Sequence, residues 1–178
     1  MEYGSEIKFD VCKLEKEHLK LIQNFKCGND EIDKYLINKA LNDMEFGKSV
    51  TKIFINKNIN EIIGYYSVNC SSIVMENYEK RYFSPAIEIK MFALDTKYHK
   101  MLYEKDNDEK FSEILFSKII KDIYNITENY CGASHIILYS VPYAIKFYKD
   151  IGFEDFEEYM ISNDDKYLEG CKPMLFCL

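Results

Sequence analysis

A carboxylate stands in the middle of an apolar run. Glu88 lies in the segment Ala86 to Leu94, AIEIKMFAL. Such a group is costly to bury unless it is paired or opens onto a cleft. There it can act as a general base, directly or through water, or form a plain ion pair with Lys90, two residues on along the same strand face. Tyr148 sits in Tyr143 to Phe153, YAIKFYKDIGF, on an apolar helical stripe. An ordinary phenol, with a pKa of about 10, stays protonated at neutral pH and can donate; as one of 15 tyrosines it can equally be a packed aromatic. Ser140, at the end of a strand-like run, offers a hydroxyl. Lys97, His99, Lys100, Lys105 and Lys110 gather cations in one stretch, enough for one small anionic ligand and equally able to be plain solvated residues.

Metal chemistry is disfavoured. The six cysteines, Cys12, Cys27, Cys70, Cys131, Cys171 and Cys177, form no CxxC pair, and His18, His99 and His135 are scattered. Structural zinc sites usually show closely paired ligands. The thiols therefore read as reduced and mostly buried.

Composition sets the frame. The 178 residues are 47% hydrophobic and 30% charged, an ordinary balance for a folded chain. The apolar runs are far shorter than the ~20 residues of a membrane span. The opening MEYGSEIKFDV shows no basic stretch before an apolar one, so the reading is cytoplasmic. Net charge is −7 with a single arginine, Arg81. Extensive nucleic-acid binding, which needs a basic surface, is disfavoured.

The elements that position these groups follow from periodicity. No linker or repeat divides the chain, so residues 1–178 read as one domain. Strands are expected at Lys8 to Leu14, Val50 to Ile55, Glu61 to Val68, Ala86 to Leu94, His135 to Val141, Phe156 to Ser162 and Met174 to Leu178. A turn at Lys57-Asn58 joins the second and third as a hairpin. Ile87, Ile89, Met91 and Ala93 share one strand face; Glu88, Lys90, Phe92 and Leu94 share the other. Helices are expected at Glu17 to Asn24, from an Asn29 or Asp30 cap to about Phe46, at Phe111 to Tyr124, and from Pro142 to a stop at Gly152. The result is an α/β chain of the α+β type. Its central sheet is mixed and mostly antiparallel, with about six or seven strands flanked by about four helices.

This order, with its local motifs, resembles the GNAT (GCN5-related N-acetyltransferase) superfamily. Ala144, Phe147, Tyr148, Gly152 and Phe153 match its late helix A-x-x-F-Y-x-x-x-G-F. Phe92-Ala93-Leu94-Asp95 matches the L-A-V-D end of its central strand. Phe25-Lys26-Cys27-Gly28, Ile32-Asp33-Lys34-Tyr35-Leu36, Ala40 and Glu61-Ile62-Ile63-Gly64-Tyr65-Tyr66 are similar to a bacterial subgroup that includes the acetyltransferase toxins of toxin–antitoxin pairs.

The resemblance implies an acetyl-CoA-dependent N-acetyltransferase acting on a primary amine: a small amine, a protein amino group or an aminoacyl-tRNA. It implies that the backbone of Phe92, Ala93 and Leu94 receives the pantetheine arm and polarises the thioester oxygen. Tyr148 then protonates the leaving thiolate, and Ser140, Phe147, His99 and Lys100 line the cofactor site. An antitoxin or other protein partner and a homodimer are left open. One stretch departs from the family. The loop Q/R-x-x-G-x-G/A, whose backbone N–H groups wrap the cofactor's pyrophosphate, is replaced by Tyr98 to Tyr103, YHKMLY, without glycine, followed by the acidic stretch Glu104 to Lys110. The alternative reading is therefore a degenerate member that has lost tight CoA binding and serves as a protein-binding module.

Overall fold

A computed structural model of the chain describes residues 3–77, 80–106, 108–156 and 170–178. Seven strands form one sheet: β1 (Phe9–Lys13), β2 (Val50–Asn56), β3 (Glu61–Asn77), β4 (Lys80–Leu94), β5 (His135–Ser140), β6 (Glu154–Asp155) and β7 (Lys172–Cys177). Their order is β1-β2-β3-β4-β5-β7-β6. β1 pairs antiparallel with β2, and β7 antiparallel with both β5 and β6, whereas β4 and β5 run parallel. The sheet is mixed, as the sequence implies. Both β3 and β4 are longer than the apolar pattern marks, because residues 71–77 and 80–84 continue the strands. Of the strand expected at Phe156 to Ser162, residues 157–162 lie outside the described part, and the short β6 precedes it.

Five α-helices are described: α1 (Leu19–Ile22), α2 (Asp30–Asn38), α3 (Ala40–Glu45), α4 (Phe111–Asn129) and α5 (Ile145–Ile151). The sequence reading expects one helix where α2 and α3 stand. Lys39, at φ −119° and ψ −33°, departs from helical geometry and divides them. The expected cap is present, since the Asn29 side chain accepts from the N–H groups of Glu31 and Ile32. Gly152 ends α5 with φ 110°, a left-handed conformation that glycine adopts without a Cβ penalty. None of the described helices is long and apolar enough to cross a membrane.

The chain divides into two compact units, Met1–Ser67 with Met91–Asp122, and Val68–Lys90 with Ile123–Leu178. The first unit is held by aromatic contacts. Phe9 meets Phe54 and Phe111 edge-on at 6.1 and 5.9 Å. Tyr65 receives Phe25 edge-on and stacks with Tyr35. On its flank Asp122 accepts from Lys52 Nζ at 2.7 Å and from the Tyr66 hydroxyl at 2.8 Å. One close approach fixes the sheet: a Cβ at Gly64 would lie 2.5 Å from the Ala93 carbonyl oxygen. In the second unit Ile73, Ala86 and Ile137 form a buried cluster, with Phe156 and Leu175 packed on it.

Cys27, buried before α2, carries a testable consequence. Its thiol donates to the Asn29 carbonyl at 3.6 Å. Burial, followed by the neighbouring Asp33 carboxylate, pushes its pKa from 9.0 up to about 12. The folded state thus favours the neutral thiol. That stabilisation is complete below pH 9.0 and is lost as the pH rises toward about 12. Denaturant titrations across this window should show Cys27→Ala losing stability less steeply with pH than the wild type.

Candidate active site

The alternation along β4 sets out the first part of the site. Ile87, Ile89, Met91 and Ala93 are buried, whereas Glu88, Lys90 and Phe92 are half-buried on the other face. Leu94 departs from the alternation and is buried. Glu88 is held by a neighbour from β3: Asn69 Nδ2 donates to Glu88 Oε2 at 2.9 Å. The ion pair with Lys90, open at the level of sequence, is not the contact that holds it. Tyr139, on β5, lies in the field of Glu88; burial first, and then that charge, push its phenol pKa up.

The parallel register between β4 and β5 runs from Ala86↔His135 to Ile89↔Leu138 and stops there. β4 continues to Leu94 and β5 to Ser140, whose pairing is with β7. Ser140 is buried, and its hydroxyl donates back to the Val141 carbonyl at 3.0 Å. Beyond it, Pro142–Ala144 form a 3₁₀ turn leading into α5. Tyr148 on α5 is buried, with Phe147 edge-on at 5.2 Å and Phe153 at 5.8 Å. Burial is the main cause that drives its phenol pKa far above the ordinary value, followed by Tyr143 and Cys171. Tyr148 is therefore protonated throughout the physiological range.

In the other unit, Phe92 packs on Phe116 of α4 at 5.1 Å. Past Leu94, Asp95 caps a 3₁₀ turn, Thr96–Tyr98, by accepting from the Lys97 N–H. His99 is exposed and its Nε2 lies 2.9 Å from the Leu94 carbonyl. A carbonyl only accepts, so Nε2 carries the hydrogen, and Nδ1 can donate to an anion only when the ring is protonated. Lys97 pairs with Glu61 at 2.6 Å, and Lys100 is exposed. A recess of about 510 Å³ opens here, lined by Tyr3, Lys97, His99, Lys100 and Met101 among others.

The stretch that replaces the glycine loop is closed on itself. The N–H groups of Tyr98, Met101 and Tyr103 donate to the carbonyls of Asp95, Tyr98 and Glu109. Leu102 and Lys110 form an antiparallel bridge. The N-terminal turn adds to it, with Gly4 N–H donating to Leu102 and Ser5 N–H to Tyr103. The start of α4 is also engaged: Phe111 N–H donates to Met101, and Lys110 N–H to the Glu113 carboxylate. These bonds use donors that a helix start otherwise turns to an anion. Among the described residues no three metal-ligating side chains come together.

Comparison with known proteins rests on structure. Neither a protein-family model nor a curated protein sequence matches the chain. A solved bacterial toxin matches with a TM-score of 0.73 at 19% identity, over 96% of this chain and 91% of its own. A tyrosine-to-phenylalanine mutant of the toxin AtaT, bound to acetyl-CoA and the C-terminus of the antitoxin AtaR, matches at 0.67 and 13% identity, over 95% and 92%. AtaT complexed with acetyl-methionyl-tRNAfMet matches at 0.69 and 13% identity, over 96% and 95%. The chain has the GNAT fold. At these identities the likeness is one of fold, and it extends over nearly the whole chain. Within the GNAT fold of this chain, Glu88, Ser140, Phe147 and Tyr148 fall in one unit, and Phe92, Ala93, Leu94, His99 and Lys100 in the other.

Asn69 is the residue that the sequence reading passes over. Nothing in its own stretch of sequence marks it; its place beside Glu88 follows from β3 lying next to β4 in the sheet.

Proposed function

We propose that the chain is an acetyl-CoA-dependent N-acetyltransferase acting on a primary amine, with the α-amino group of an aminoacyl-tRNA as the first acceptor class to assay. The observation that carries the reading is Tyr148. It is a buried phenol kept protonated by its surroundings, at the position where the GNAT resemblance assigns the general acid. The match to AtaT in complex with acetyl-methionyl-tRNAfMet supports the acceptor class. The net charge of −7 counts against a wide grip on the tRNA's phosphate backbone, so contact would be confined to the amine-bearing end.

The acceptor enters as an ammonium, and Glu88 takes one proton, directly or through water. The freed amine forms a C–N bond to the thioester carbonyl, whose oxygen the GNAT resemblance assigns to backbone N–H at Phe92 to Leu94; a well-placed donor there contributes about 3 kcal/mol. The second amine proton leaves to water, the C–S bond breaks, and Tyr148 gives its proton to the thiolate. Solvent returns a proton to Tyr148, and Glu88 releases its own. The exposed Lys100 and the recess beside His99 supply the grip on the cofactor's phosphates that the glycine loop gives elsewhere.

A second reading rests on a specific observation. The self-closed loop and the engaged start of α4 leave fewer backbone donors for pyrophosphate, as expected of a non-catalytic, partner-binding member. Incubation with labelled acetyl-CoA and a mixture of aminoacyl-tRNAs separates the two. Label on the amino acid supports the enzyme. If no label reaches aminoacyl-tRNA, polyamines or peptides, and no free CoA is released, the enzyme reading fails.

A further inference from the structure

Glu88 is anchored on one side only. Its Oε2 accepts from Asn69 Nδ2 at 2.9 Å, and Oε1 has no hydrogen-bond partner among the described residues. Asn69 makes the opposite sacrifice. Its Oδ1 is buried without a partner among the described residues, which is costly for an amide carbonyl. The orientation of the amide is fixed by chemistry, because a flipped group would set a carbonyl against the Glu88 carboxylate. The amide thus donates to Glu88 while its own acceptor is unmet among the described residues. An arrangement that costs stability and fixes one carboxylate is the mark of a functional group held in place.

The surroundings say what the free oxygen receives. Asn69 on β3, Glu88 on β4 and Tyr139 on β5 come from three successive strands of one unit. Glu88 is level with Ile137 in the parallel register, and Ile137 belongs to the apolar cluster of Ile73 and Ala86. Lys90 is the nearest cation along the strand, and Glu88 is bonded to Asn69 instead. A half-buried anion with one satisfied and one open oxygen, level with the aliphatic Ile137 and beside Tyr139, suits a group with donors only and an apolar body. That group is a primary ammonium on an aliphatic chain.

We propose that Asn69 and Glu88 form the docking pair for the acceptor's primary ammonium, with Glu88 Oε1 binding it and Asn69 positioning the carboxylate. The proposal names the acceptor side of the reaction above and rests on that reading for its place in catalysis. Docking itself is measured without turnover. The probe is n-butylammonium chloride, titrated against the full chain while the side-chain amide resonances of Asn69 are followed by NMR, with n-butanol and tetramethylammonium as controls.

The expected result is a saturable shift with n-butylammonium alone, abolished in Glu88→Gln. Asn69→Leu should weaken it roughly tenfold, the loss of one charge-assisted hydrogen bond, followed there through the Ile137 methyl resonances. The melting temperature of Asn69→Leu should be unchanged or higher, because the empty acceptor is removed; a merely structural Asn69 would lower it. No saturable shift in the wild type, or a shift that survives Glu88→Gln, overturns the proposal whether or not the protein acetylates. Conversely, failed acetyl transfer together with Glu88-dependent ammonium binding overturns the enzymatic reading and keeps the docking pair.

Discussion

Tyr148→Phe is expected to lower acetyl transfer by roughly 10²–10⁴-fold while leaving acetyl-CoA affinity in place. The reason is the state of the phenol. Burial keeps Tyr148 protonated, so under the proposed function it would enter the reaction as a donor. Phenylalanine keeps the ring against Phe147 and Phe153 and removes only the hydroxyl. The melting temperature should therefore stay close to that of the wild type. Release of free CoA, followed with a thiol reagent in the presence of an acceptor, reads the chemical step. Calorimetry with acetyl-CoA reads binding. Transfer that survives the substitution assigns Tyr148 to packing alone.

The second large effect concerns Gly64. In Gly64→Ala the new Cβ meets the Ala93 carbonyl oxygen at 2.5 Å and Leu94 Cα at 3.2 Å. The two nearest obstacles are backbone, with Leu94 Cγ at 3.3 Å behind them, so a side-chain shift alone cannot make room and the two strands must separate. Overpacking of this kind costs about 1–3 kcal/mol. For a chain of this size each kcal/mol lowers the melting temperature by about 2–4 °C. The displaced residues are those expected to receive the pantetheine arm. Gly64→Ala should therefore weaken acetyl-CoA binding as well as stability, in contrast to Tyr148→Phe. A variant as stable as the wild type would show that the approach of β3 to β4 is looser than its geometry.

Local signals in the sequence account for much of this fold. The Ala144 to Phe153 pattern places α5 and its stop at Gly152, where a positive φ is required. The alternation from Ile87 to Ala93 predicts which side chains β4 buries, and Leu94 departs from it. The Asn29 cap is equally local. What escapes notice depends on distant partners. Ile32, Leu36 and Ala40 keep one helical stripe across Lys39, so nothing local announces the break between α2 and α3. The closure of the loop after β4 needs Gly4 and Ser5, about a hundred residues earlier in the chain. Asn69 acquires meaning only when the β3–β4 register sets it against Glu88.

The site divides in the same way. Tyr148 and Glu88 stand out by residue type within apolar patterns. His99 does not, because its tautomer is set by the Leu94 carbonyl, a contact that spacing alone leaves open. The missing glycines are visible in the sequence, whereas the bonds that occupy the loop's N–H groups are visible only in the fold.

The central claim is that this GNAT fold still binds and uses acetyl-CoA despite its altered loop. Isothermal titration of the full chain with acetyl-CoA, paired with a thermal-shift measurement, tests it most directly. The expected result is saturable heat and a melting temperature that rises with ligand concentration. Absence of both heat and thermal shift at millimolar acetyl-CoA would contradict the claim and leave the partner-binding reading in its place.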